Sequence, residues 1–235
     1  MPDRLANRLS AEAVGTAFLA AAVVGSGIAA QRLSPGNTGL QLLENSTATG
    51  AVLVALILAL GPVSGAHFNP LVTLAERVFR RMPTSTAAAY VAAQTAGAIA
   101  GVAVANVMFG DPAFTISTHV RSGNGLLLSE AVAAFGLLVV IFGVARSEHR
   151  TAVAYAVGAY IAAAYWFTSS TSFANPALTI ARSLTDTFAG IRPSSVAPFV
   201  LLQLVGAVAA IAMVHLWFPQ PSATEPAFDR AGEAP

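Results

Sequence analysis

Two asparagines each precede a proline within a stretch that carries no charge: Asn69-Pro70-Leu71 in "SGAHFNPLVT" and Asn175-Pro176-Ala177 in "SFANPALT". Asparagine is a favoured N-cap because its side-chain oxygen accepts from a backbone N–H of the first turn. Proline fits the first helical position, where its missing N–H costs nothing. Each pair should therefore start a helix. A helix start carries roughly half an elementary positive charge. An asparagine whose oxygen serves as the cap still has amide N–H groups to offer. Two such starts facing one spot would oppose cations, hydrated protons included, and would donate to a passing water or hydroxylated solute. Taken singly, each asparagine is only a cap in a loop; the pair is what points to chemistry.

Few other polar groups accompany them. Glu12 and Glu130 are lone carboxylates inside apolar runs, where an ionisable residue suggests function by default. Their matching placement favours an internal structural role over a proton or ion site. His67 lies two residues before Asn69 and reads as a neutral structural imidazole in preference to a pH gate. Arg182 follows Asn175 by seven residues, about 20° short of two helical turns, and Glu76 stands in the same relation to Asn69. Each could mark one mouth of a pore, positive outside and negative inside. Equally, each could form an interfacial ion pair, Arg182 with Asp186 and Glu76 with Arg80.

The elements that must position these residues are membrane helices. Of 235 residues 55% are hydrophobic and 10% are charged, well under the quarter usual for soluble domains. The alternating pattern of a membrane β-barrel is absent. A span needs about 20 apolar residues, and the charges cut the chain into candidate spans at roughly 10–30, 45–62, 84–108, 126–145, 151–168 and 195–218. The second and fifth windows run on past a full span, each into an Asn-Pro. Pro70 to Arg81 gives about 18 Å of helix, half a bilayer. The expected fold is thus all-α, with six spans and two re-entrant half-helices. Backbone at that depth is tolerated only where protein or a wet cavity covers it.

The chain also repeats itself. "SAEAVGTAFL" matches "LSEAVAAFGLL", aligning Glu12 with Glu130; "FNPLVTLAERV" matches "ANPALTIARSL"; "QTAGAIAGVA" matches "QLVGAVAAIA". The repeats cover 10–108 and 126–218 of a single channel domain, with residues 219–235 read as a disordered cytoplasmic tail. Three spans per half is an odd number, so the second half enters inverted and the Asn-Pro starts meet near the midplane. With both termini inside, the inner loops hold eight of the twelve basic residues, all arginine, in keeping with the positive-inside tendency. The Gly97-x-x-x-Gly101 pair reads as close helix packing.

Several classes are set aside. Net charge of +1 gives no footprint for nucleic acid. There is no cysteine, and four histidines form no tetrahedral set, so neither metal nor other cofactor is expected. No nucleophile–base grouping suggests an enzyme. A secondary transporter remains the rival, since inverted repeats with broken helices also build those.

On the quoted motifs, the glutamates of spans one and four and the glycine-rich third and sixth spans, the chain resembles the aquaporin, or major intrinsic protein, family over residues 10–218. The resemblance implies one pore per protomer, a homotetramer in the lipid bilayer, and passage of water and small neutral solutes. It also implies that such glutamates accept from loop backbone groups. Two departures stand out. The first motif reads Asn-Pro-Leu. The arginine that follows the second motif in water- and glycerol-conducting members is here Leu178. The remaining filter positions, carried over by spacing, fall on Thr49, Ala163 and Ser172, with Tyr165 close by. A filter without arginine or aromatic would be wide and apolar, open to polyols such as glycerol and to neutral metalloid hydroxides such as arsenite.

Overall fold

In hydrocarbon every backbone polar group must be satisfied within the segment, so long apolar runs become helices. The computed structural model describes residues 3–79 and 82–218. In order these form α1 (Asp3–Leu33), α2 (Thr38–Ser64), α3 (Pro70–Val78), α4 (Thr84–Met108), α5 (Asn124–Val144), α6 (Val153–Phe167), α7 (Pro176–Ala181) and α8 (Pro193–Trp217). The segment 219–235, expected as a tail, and Arg80, expected beside Glu76, lie outside the described residues.

Among the described residues five helices are long and apolar enough to cross a membrane, and α6 is a shorter apolar one. At 15 residues α6 reaches about 22 Å; a 3-10 turn, Arg150–Ala152, leads into it. The half-helices are shorter than the charge pattern suggested. α3 stops at Val78 instead of Arg81. α7 has six residues and tightens into a 3-10 turn at Arg182–Leu184.

Packing follows the repeat. α1 lies against α2 and α4, and α5 against α6 and α8. α3 touches α4 of its own half and α8 of the other; α7 touches α8 of its own half and α4 of the other. Each half-helix thus bridges both halves, and the two meet each other. Glycine permits the closest crossings. A Cβ at Gly97 would stand 2.1 Å from the Ala13 carbonyl oxygen, one at Gly101 2.1 Å from that of Ala17, and one at Gly206 2.1 Å from that of Ala131. The Ala13–Gly97 and Ala131–Gly206 crossings occupy equivalent places in the two halves. Overpacking typically costs about 1–3 kcal/mol, and here the obstacle is backbone. Gly101→Val should therefore lower the unfolding temperature in detergent clearly, whereas the same change at Gly143, with open space around its Cβ position, should be mild. Equal melting of the two variants would contradict this packing.

Candidate functional site

The loops before the two asparagines are held in an unusual backbone shape. Gly65, Ala66 and Phe68 have φ of +89°, +49° and +48°. Thr171, Ser172 and Ala174, at equivalent places, have +62°, +50° and +45°. For a non-glycine residue this region costs about 1–2 kcal/mol, so neighbouring contacts must fix it. Glu12 supplies them in the first half. Its Oε1 accepts from Ser64 Oγ at 2.6 Å and His67 N at 2.9 Å; its Oε2 accepts from Phe68 N at 2.8 Å and Gln94 Nε2 at 2.8 Å. Glu130 matches it in the second half, accepting from Phe173 N at 2.9 Å, Ala174 N at 3.0 Å and Gln203 Nε2 at 2.6 Å. Gln94 and Gln203 each also donate at 2.9 Å to a half-helix threonine, Thr73 and Thr179. Both glutamates are fully buried. Glu12 accepts from four fixed donors and Glu130 from three.

With the loops so held, each asparagine starts its half-helix. Asn69 Oδ1 accepts from Leu71 N at 2.9 Å, and Asn175 Oδ1 accepts from Ala177 N at 3.1 Å and Leu178 N at 3.3 Å. Pro70 and Pro176 take the first helical positions. The amide nitrogens reach across the repeat: Asn69 Nδ2 donates to the Ala174 carbonyl at 2.8 Å, and Asn175 Nδ2 donates to the Phe68 carbonyl at 2.8 Å. This reciprocal pair brings both starts to one place. An amide nitrogen carries two hydrogens, so each asparagine retains one N–H, and both residues line a common cavity.

The cavity draws its wall from both halves. Thr49, His67, Ser172, Leu178 and Arg182 all line it, together with apolar groups such as Val23, Leu53 and Ile161. The pore-motif neighbours Leu71 and Ala177 are buried behind it in the core. His67 Nδ1 lies 3.0 Å from Thr73 Oγ1, and its ring tilts against that of Tyr90. Glu76 is half-buried on α3 and is not among the wall residues of this cavity. On α6 the spacing argument misplaced the wall. Ala163 is exposed on the outer face, while Tyr165 is buried and lines the cavity. Its hydroxyl lies 3.2 Å from Thr49 Oγ1. The position thus carries an aromatic after all, and the wall is less open than a reading with alanine implied.

Arg182 does not pair with Asp186. The Asp186 carboxylate accepts from Thr118 N at 2.8 Å and Thr118 Oγ1 at 3.0 Å and lies 3.7 Å from His119 Nε2. The Thr118 backbone hydrogen bond holds it below the usual carboxylate range. Arg182 is instead 3% exposed. Its Nε donates to the Ala189 carbonyl, and its guanidinium lies 3.4 Å from the centroid of the Phe173 ring. Phe173 and Arg121 were not singled out by the sequence reading. The Arg121 guanidinium lies 4.9 Å from the same ring and donates to the carbonyls of Gly190 and Phe188. Among the described residues no group of three or more His, Asp or Glu could hold a metal.

The chain is similar to known proteins in sequence and in fold. A family model described as Major intrinsic protein matches residues 4–152 and 146–232. The chain is 53% identical over 218 residues to the aquaglyceroporin AqpS of Rhizobium meliloti, covering 93% of this chain and 92% of that protein. It is 33% identical to the probable aquaporin AqpM of Archaeoglobus fulgidus, covering 89% and 96%. Among solved structures, the aquaglyceroporin from Plasmodium falciparum superposes with a TM-score of 0.70 over 91% of this chain and 95% of that one; at 21% identity it speaks for the fold. With a family model spanning nearly the whole chain and a relative sharing half its residues end to end, the chain belongs to the major intrinsic protein family.

Proposed function

We propose that the chain is a passive pore for water and small uncharged solutes of glycerol size. Support comes from the family and from a relative named as an aquaglyceroporin. The observation that carries the reading is the reciprocal Asn69–Ala174 and Asn175–Phe68 hydrogen bonding at the wall of a cavity shared by both halves. It fixes two helix N-termini against one spot, a positive potential that opposes cations. It also leaves two amide donors for solute oxygens.

The reading assigns the narrow outer part of the pore to Thr49, Tyr165, Ser172 and Leu178, with no arginine directly after the second motif. Leu178 leaves room where a guanidinium would otherwise stand. Neutral metalloid hydroxides, arsenite among them, resemble glycerol in size and hydroxyl content and belong to the same class. The working unit is proposed to be a homotetramer in the cell membrane with both termini cytoplasmic; the arginine distribution supports that orientation. Proteoliposomes examined by stopped-flow light scattering should show protein-dependent fluxes of water, glycerol and arsenite. Fluxes equal to those of empty liposomes for all three would overturn the reading.

A further inference from the structure

We propose that the outer part of the cavity is a binding site for a small monocarboxylate, centred on Arg182; the inference rests on the pore reading. A buried guanidinium is costly unless its charge is compensated. Arg182 is almost wholly buried, yet no carboxylate among the described residues hydrogen-bonds to it or forms an ion pair with it. Asp186 is engaged by Thr118 and His119. Glu130 accepts from its loop and from Gln203, and makes no hydrogen bond to Arg182. Of the five N–H donors of a guanidinium, the one on Nε goes to Ala189. Those on the two terminal nitrogens make no hydrogen bond within the described protein, and the residue lines the cavity. They form a planar fork suited to two carboxylate oxygens.

A second, independent observation lies on the same wall. Ser172 Oγ is buried, has no hydrogen-bond partner and belongs to a residue lining the cavity. A buried hydroxyl without a partner is destabilising, and a ligand oxygen would relieve that. The Ser172 backbone is held in the left-handed region, its N–H bonded to Ser170 Oγ at 3.2 Å, so a fixed turn sets the position of the buried hydroxyl. Phe173, the next residue, stacks on Arg182 and also on Arg121. Arg121 spends its donors on carbonyl oxygens, which satisfy its hydrogens without cancelling its charge. The wall therefore carries the charge of Arg182 and an unpaired hydroxyl, with Arg121 adding a second positive charge from outside the lining, across the Phe173 ring.

The class follows from the surroundings. Leu178, adjoining this polar group on the wall, is apolar. A doubly charged oxyanion would lose more hydration than such a wall returns. A single carboxylate on a short hydrocarbon or hydroxylated tail matches both parts.

The test uses L-lactate at pH 7.5 on proteoliposomes containing the full chain, with glycerol flux as the readout and chloride at equal ionic strength and osmolarity as control. Lactate should slow glycerol entry at least twofold more than chloride does. Arg182→Gln should raise the half-inhibitory lactate concentration at least fivefold, and Ser172→Ala about threefold. Arg182→Lys, which keeps the charge and loses the fork, should fall between wild type and Arg182→Gln. Should Arg182→Gln fail to insert, the Lys and Ser172 variants carry the comparison alone. Lactate no more effective than chloride, or equal inhibition of wild type and variants, overturns the site while leaving the pore reading intact. Absence of glycerol and water flux in wild type would instead remove the pore reading beneath it.

Discussion

Glu12→Ala should yield a protein that no longer folds stably in detergent. The wild-type carboxylate accepts four hydrogen bonds, from Ser64, His67, Phe68 and Gln94, all inside the bundle. Alanine would leave the Ser64, His67 and Phe68 donors buried without this acceptor and Gln94 with only Thr73, each lost bond at about 1–3 kcal/mol. Their sum approaches the 5–15 kcal/mol by which a domain is stable at all. The strained Ala66 and Phe68 would lose the contacts that fix them, and with them the Phe68 carbonyl that receives Asn175. Glu12→Gln keeps the shape and one accepting oxygen but turns an amide toward donors, so an intermediate loss is expected. Glu130→Ala, with three hydrogen bonds lost, should be nearly as severe. Size-exclusion chromatography and thermal unfolding in detergent measure this. A Glu12→Ala protein that melts within a few degrees of wild type would show that the loops hold themselves.

The second large effect is one of selectivity. Leu178→Arg should cut glycerol permeability at least tenfold, about 1.4 kcal/mol in barrier, and leave water flux within a few-fold. Leu178 is buried in the cavity wall beside the second asparagine, whose Oδ1 accepts from the Leu178 N–H. Arginine would extend a longer side chain with five donors across the gap faced by Thr49 and Tyr165. A water molecule passes by exchanging hydrogen bonds with such a group; a three-carbon solute must also fit beside it. Stopped-flow scattering with each solute reads the ratio directly. Equal losses for water and glycerol, or no loss, would remove Leu178 from the filter.

The parts of this architecture that the sequence made legible are those in which a local rule is written twice. Each Asn-Pro starts a half-helix because capping and proline geometry are properties of neighbouring residues. The Glu12 and Glu130 pair, and the glycines facing Ala13 and Ala131, stand out because the two repeats keep them in register. What stayed hidden depends on how loops use their residues. Counting back from Asn175 to the α6 wall crosses the turn at 168–172, where Thr171 and Ser172 adopt left-handed backbone; the count reaches Ala163, while the wall is formed by Tyr165. The surroundings of Arg182 were equally out of reach. That Asp186 turns to Thr118, and that Arg121 comes from the α4–α5 connection to share the Phe173 ring, are long-range facts. A helical-stripe argument left Arg182 open between a pore mouth and an ion pair with Asp186. It could not say that no carboxylate would meet it there.

Glycerol uptake into proteoliposomes, followed with and without ionophores that collapse proton and sodium gradients, tests the central claim most directly. A passive pore built around the paired asparagines predicts uptake well above that of empty liposomes and the same rate under both conditions. Uptake that vanishes when the gradients collapse would mean a coupled transporter, and would contradict the account.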